Sequence, residues 1–178
     1  MSGAVTSTIT PAVWIGCLAC YNAGRLTGDW HEATTADEVT PDKLHGHQTS
    51  HEELWVFDYE HLPIDGECSP QEAAKLARHL DEVDEYLLPV FLAWIASGSY
   101  VLDGENLPDH GEFIDRYCGH WDSFTQYAHQ LAEDIGMLAD APEEIARYFN
   151  WQSWTDDLQH EYTVLDAAEG GVFIFRDH

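Results

Sequence analysis

The residues able to do chemistry in this chain are carboxylates first, and cysteine and histidine second. Asp81-Glu82 and Asp156-Asp157 are adjacent acidic pairs, the residue type that general acid–base catalysis uses when two environments drive two pKa values apart. With 33 Asp plus Glu in the chain, such pairs also arise by chance. Neither sits in a catalytic pattern. Clustered acids can also bind calcium, but no D-x-[DN]-x-[DN]-G loop occurs; "DGENLPDHGE" is loop-like in composition without the ligand spacing. A third use is non-catalytic: carboxylates held on a scaffold present the charge of a phosphate backbone.

Cys17-Leu-Ala-Cys20 is a C-x-x-C motif, and with His45 and His47 of "HGH" it could make a Cys2His2 zinc site. Against this, "AVWIGCLACY" (12–21) reads as a strand, where residues three apart face opposite sides. No Gly or Pro inside the motif shapes a metal knuckle. A redox role needs the motif to open a helix, and "YNAG" does not continue as one. The four cysteines therefore read as buried free thiols, and no metal or cofactor is expected. The 11 histidines read as surface residues, and His110, His120 and His129 lack H-x-x-x-H spacing. There is no G-x-S-x-G, P-loop or dinucleotide fingerprint. Trp151 and Trp154 flank Asp156-Asp157 as a sugar platform would, but packing is the ordinary use of such a pair. Nothing here indicates an enzyme.

The charge is more informative than any motif. The 178 residues carry 7 Lys plus Arg and a formal net charge of −26. The 44% hydrophobic and 12% aromatic content is enough for a core and argues against disorder. Residues 79–115, 117–146 and 148–175 contain no Lys or Arg, so the acid is spread over segments that also carry core positions. Duplex DNA carries one charge per roughly 1.7 Å, so 26 charges match about 44 Å of duplex. Nucleic acid and anionic membranes are excluded as partners, and basic clefts are favoured. No apolar run of membrane-spanning length occurs, and "MSGAVTSTITPAVW" has no basic n-region, so the expected location is the cytoplasm.

These groups need elements to hold them. Residues 1–11 read as a loose tail. Residues 12–67 read as an α+β section with strands at 12–21 and 53–60, turn glycines Gly24 and Gly28, and a short helix capped by Thr40 with Pro41 in its first turn. Residues 68–115 read as helical: Ser69, Pro70 and Glu72 form a capping box, and Ala73, Leu76, Ala77, Leu80, Val83 and Leu87 recur at helical spacing. That spacing carries the helix through "HLDEVDEYLLP", making Asp81/Glu85 and Asp81/Asp84 like-charge neighbours at roughly 0.2–0.5 kcal/mol each. Pro89 restarts a second helix that Gly98 ends, and a short helix lies in "LPDHGEFIDRYCG". Residues 116–178 hold a helix with Phe124, Tyr127, Ala128, Leu131 and Ile135 inward, a short helix after Pro142, one capped by Asn150, and a terminal strand "VFIF" after the Glu169-Gly170-Gly171 turn. The class is α+β.

The segments "PAVWIGCLACYNAGRLTGDWHEAT", "LLPVFLAWIASGS", "RYCGHWDSFTQYAHQLAEDIGML" and "PEEIARYFNWQSWTDDLQHEYTVLDAAEGGVFIF" resemble, in order and spacing, the ArdA family of antirestriction proteins. The resemblance spans residues 11–176. It implies a non-catalytic DNA mimic from a mobile element: an elongated homodimer of three small subdomains that occupies the DNA-binding groove of type I restriction-modification enzymes. The implied phosphate-mimicking carboxylates are Asp81, Glu82, Asp84, Glu85, Asp103, Glu105, Asp109, Glu112, Asp115, Asp122, Glu133, Asp134, Asp156, Asp157 and Glu161. One departure stands out: Tyr148-Phe149-Asn150-Trp151-Gln152 replaces an expected acidic Y-I-D-x-E pattern. The competing reading is a salt-adapted or metal-binding (zinc or calcium) acidic domain with an enzymatic or regulatory role.

Overall fold

Burial at every second residue of "AVWIGC" makes β1 (Ala12–Cys17) the central strand of the N-terminal unit, with Val13, Ile15 and Cys17 inward. The computed structural model describes residues 9–178; residues 1–8 of the expected tail lie outside them. The chain divides into two compact units, one ending at Leu88 and one starting at Pro89. Each contains an antiparallel three-stranded sheet, and the class is α+β. Among the described residues no helix is long and apolar enough to cross a membrane.

In the first unit β1 lies between β2 (Gly28–Glu32) and β3 (Leu54–Glu60). The expectation of a strand over 12–21 is corrected: the strand stops at Cys17, and Leu18–Asn22 form a one-turn helix, α1. Gly28, expected in a turn, opens β2 opposite Gly16. A Cβ on either glycine would strike the Trp14 ring, at 2.6 Å from Gly16 and 2.5 Å from Gly28, so these two residues make room for an indole. A 3-10 segment (Ala33–Glu38) follows, then α2 (Pro41–His45), whose first turn is capped by the Thr40 hydroxyl accepting from Lys43 N. Helix α3 (Pro70–Asp81) starts with the expected capping box between Ser69 and Glu72. Ala73, Ala74 and Ala77 are fully buried on α3, and Ala33 and Ala36 on the 3-10 segment it packs against. Small side chains let the two backbones approach, and Arg78 to Asp37 at 2.7 Å closes the edge.

The helix expected through "HLDEVDEYLLP" is also corrected. It ends at Asp81, Glu82 is the C-cap, and Asp84 is extended at ψ 137°. Asp81 and Glu85 are therefore not helical neighbours. A 3-10 turn (Glu85–Leu87) leads into α4 (Leu88–Ser97), with Pro89 in its first turn and Gly98 at φ +78° after its end. Breaking the helix removes the like-charge contacts that continuing it would impose.

The second unit adds α5 (His110–Arg116), β4 (Tyr117–Trp121), α6 (Phe124–Asp134), α7 (Glu143–Arg147), α8 (Trp151–Gln159), β5 (Tyr162–Asp166) and β6 (Val172–Arg176), with β6 between β4 and β5. Successive residues of β6 face opposite sides. Phe175 joins Phe91, Trp94, Phe113 and Tyr117, with ring centroids 4.8–5.9 Å apart for Phe91–Phe113, Tyr117–Phe175 and Trp94–Phe175. Ile174 joins Phe124, Tyr127 and Ala128, with Trp121, Trp154 and Tyr162 against them. Ile135, expected inward on α6, lies beyond the helix end and is 63% exposed; Ala132 takes the buried position. Phe113 touches several rings at once, so Phe113→Ala should destabilise by about 3–5 kcal/mol, read as a lower urea midpoint with an unchanged m-value.

Candidate functional site

The candidate carboxylates fall into two groups. Asp103, Asp109 and Glu112 are half-buried, and each has a structural bond. The Asp103 carboxylate accepts from Glu105 N at 2.7 Å and Leu107 N at 3.0 Å, folding the 103–107 turn. This accounts for the loop-like look of "DGENLPDHGE" without a metal. Asp109 caps α5 by accepting from Glu112 N at 2.9 Å, and Glu112 receives Arg116 Nε at 2.8 Å. The others, Asp81, Glu82, Asp84, Glu85, Glu105, Asp115, Asp122, Glu133, Asp134, Asp156, Asp157 and Glu161, are exposed.

Several of the candidate acids lie at or just after helix ends. Asp81 ends α3 and Glu82 caps it; Asp84 and Glu85 follow directly. Glu133 and Asp134 form the end of α6, which has no basic residue in its last turn. Asp156 and Asp157 occupy the last turn of α8, again without a basic residue there, and Glu161 follows. Neither α6 nor α8 has an acid in its first turn. The end of a helix carries roughly −0.5 charge from its free carbonyls, and an acid placed there costs about 0.3–1 kcal/mol where one at the start would gain it. Two of these acids have neutral donors: Gln130 Nε2 donates to Asp134 at 3.0 Å and Gln152 Nε2 to Asp156 at 2.9 Å.

Arg78 pairs with Asp37 and Arg116 with Glu112, and further bonds of the cations go to carbonyl groups. Lys43 Nζ donates to the Glu38 carbonyl, Arg116 to the Asp177 carbonyl and Arg176 to the Asp115 carbonyl. Arg147 approaches Glu143 only to 4.0 Å. The surface potential is therefore set by carboxylates and helix carbonyls together. The N-terminal unit adds exposed acids that the candidate set omits, among them Asp29, Glu32, Asp58 and Glu60 on β2 and β3. Arg25 and Lys43 nearby in sequence hide this excess from a count along the chain.

A family model described as antirestriction protein (ArdA) matches residues 13–173. The chain belongs to the ArdA family. No curated protein matches it. Membership makes this an antirestriction protein, whose targets are restriction enzymes. Asn150 provides the capping acceptor, receiving Ser153 N at 3.0 Å on its side-chain oxygen, and Gln152 supplies the donor to Asp156. Both side chains hydrogen-bond at the start of α8 without carrying charge.

Two other groupings were open in the sequence. Trp154 packs onto the Phe124 core and Trp151 lies 4.5 Å from His129, so the pair is used for packing. Cys17 and Cys20 do not face opposite sides: the strand-to-helix corner turns both sulfurs toward His51 Nδ1, at 3.2 and 3.6 Å. His47, the expected partner, instead bonds the Gln48 carbonyl. Cys68 is separate, and burial pushes its thiol up to about 11.

The two groups of acids should respond oppositely to substitution. Asp134→Asn and Asp157→Asn should each stabilise the fold by about 0.3–1 kcal/mol. Asp109→Ala should cost about 1 kcal/mol through the lost cap. Urea denaturation of the three variants against the parent chain checks the sign.

Proposed function

We propose that this chain is an acidic mimic of duplex DNA that occupies the DNA-binding groove of type I restriction-modification enzymes, acting as an elongated homodimer without catalysis. The observation that carries this reading is the placement of Glu133, Asp134, Asp156 and Asp157 in helix last turns that lack any cation. Those positions weaken the fold, yet they add carboxylate charge to the negative helix end, so two sources of potential coincide. A surface acid kept only for solubility gains nothing from the costly end of a helix.

Inhibition follows by competition. A basic groove that binds the chain releases counterions, as it does on binding DNA, and affinity falls steeply with salt. No single carboxylate dominates, because many contribute to one field. Asp81, Glu82, Asp84 and Glu85 in the first unit, and Asp115 and Glu161 in the second, add to the same negative charge. The half-buried Asp103, Asp109 and Glu112 contribute charge while holding their own loop and helix. Dimerisation draws on apolar surface. Ile174 and Phe175 are consumed by the protomer core, and the exposed large apolar side chains of the second unit are Val101, Leu102, Ile114, Ile135, Ile145 and Tyr148.

Titration of the chain into a type I enzyme bound to duplex DNA, at two salt concentrations, tests the proposal. Displacement is expected at low salt and should weaken steeply with added salt. Combined Asp134→Asn and Asp157→Asn should lower inhibition while leaving the protein folded, and should flatten the log–log salt slope by about 0.9 per lost contact. Absence of displacement at low salt would remove the mimic. Folding that requires molar salt would favour a salt-adapted domain instead.

A further inference from the structure

We infer that Cys17, Cys20, His45 and His51 form a structural zinc site in the N-terminal unit. Their ligand atoms all lie within 4.8 Å of one another. Cys17 Sγ lies 3.2 Å from His51 Nδ1, Cys20 Sγ 3.6 Å from His51 Nδ1, and Cys20 Sγ 3.9 Å from His45 Nε2. Tetrahedral zinc, with Zn–S about 2.3 Å and Zn–N about 2.0–2.1 Å, holds sulfur and nitrogen about 3.5 Å apart. The observed separations bracket that value.

The backbone builds this cluster from several directions. Cys17 ends β1 and precedes α1, with its N–H on the Thr27 carbonyl and the Leu18 N–H on the Glu53 carbonyl. Three residues later, Cys20 is on the single turn of α1, so the two sulfurs converge where a continued strand would separate them. His45 is the last residue of α2, and Gly46 at φ +73° turns the chain sharply after it. The stretch after Gly46, free of helix and strand, is anchored by Thr49 N on the Asp42 carboxylate and His51 N on the Thr49 hydroxyl, which presents His51 to both sulfurs.

Buried cysteines alone do not need this arrangement. The single Nδ1 of His51 faces two sulfurs and can make a full hydrogen bond to only one of them. A cation accepting all four lone pairs uses every group. The donor set also selects the ion: two thiolates and two imidazoles, with no carboxylate among them, match zinc and not calcium or magnesium. Binding releases the two thiol protons, and a Zn²⁺ with two thiolates and two neutral imidazoles is neutral. The net charge of the chain is therefore unchanged, and the clamp is compatible with an acidic surface.

The test separates this site from loose binding on surface carboxylates. The full chain, purified in high salt to strip weakly held cations, is assayed for metal by mass spectrometry. One zinc per chain is expected, falling to background in Cys20→Ser and His51→Ala and remaining at one in His47→Ala. Chain stripped with chelator and titrated with cobalt should develop a thiolate-to-cobalt charge-transfer band and the intense visible bands of tetrahedral cobalt, saturating at one equivalent. That measurement uses the unaltered sequence, so a variant that fails to fold does not decide the matter. Background zinc in the parent chain together with no tetrahedral cobalt spectrum would overturn the site. So would metal retained in full by Cys20→Ser, or a Cys17–Cys20 disulfide in protein purified under reducing conditions.

Discussion

Self-repulsion governs this molecule. A formal net charge of −26 on 178 residues opposes any compact state, and cations do little to relieve it. The counterweight is aromatic and local. In the second unit, β6 is buried on both faces, with Phe175 in one aromatic cluster and Ile174 in another. In the first unit, alanines on α3 and on the 3-10 segment bring two backbones into contact, and Trp14 lies over paired glycines. Each device keeps carboxylates out of the core while packing apolar groups densely, so the charge stays in high-dielectric surroundings where repulsion is weakest.

The acids themselves divide by task. Those that are half-buried accept backbone N–H groups or an arginine, and their charge is spent partly on folding a turn or starting a helix. Among those that are exposed, Glu133, Asp134, Asp156 and Asp157 sit in helix last turns that gain nothing from them. Neutral glutamines supply the nearest donors to Asp134 and Asp156, holding each carboxylate's orientation without subtracting from its charge. Asn150 is likewise neutral, and its side-chain oxygen caps α8.

Much of this was legible from residue types. Caps at Thr40, Ser69, Asn150 and the helix stop at Gly98 depend on local chemistry that a few adjacent residues specify. What escaped depended on partners distant in sequence. Gly28 reads as a turn until Trp14 is known to lie over it. The strand β2 carries exposed and half-buried residues together and so shows little periodicity. The periodicity through Val83 and Leu87 suggests a helix that like charges and Pro89 do not sustain. In the candidate site, the exposed acids of α3, α6 and α8 were legible as charge. Their position at helix ends was not, because it depends on where each helix stops.

The same logic explains why a zinc clamp suits this chain better than ion pairs would. A further tie between the cysteine corner and the 46–53 segment would help hold so small a unit together. An ion pair would supply one by adding a cation, and every added cation subtracts from the surface potential. Four neutral side chains that bind a divalent ion with loss of two protons add a tie at no cost in net charge. The ligands all come from the first unit: Cys17 at the end of β1, Cys20 on α1, His45 on α2 and His51 in the loop after it. Stability and surface charge can then be set separately: one by a buried cation and aromatic packing, the other by carboxylates that the fold tolerates and does not require.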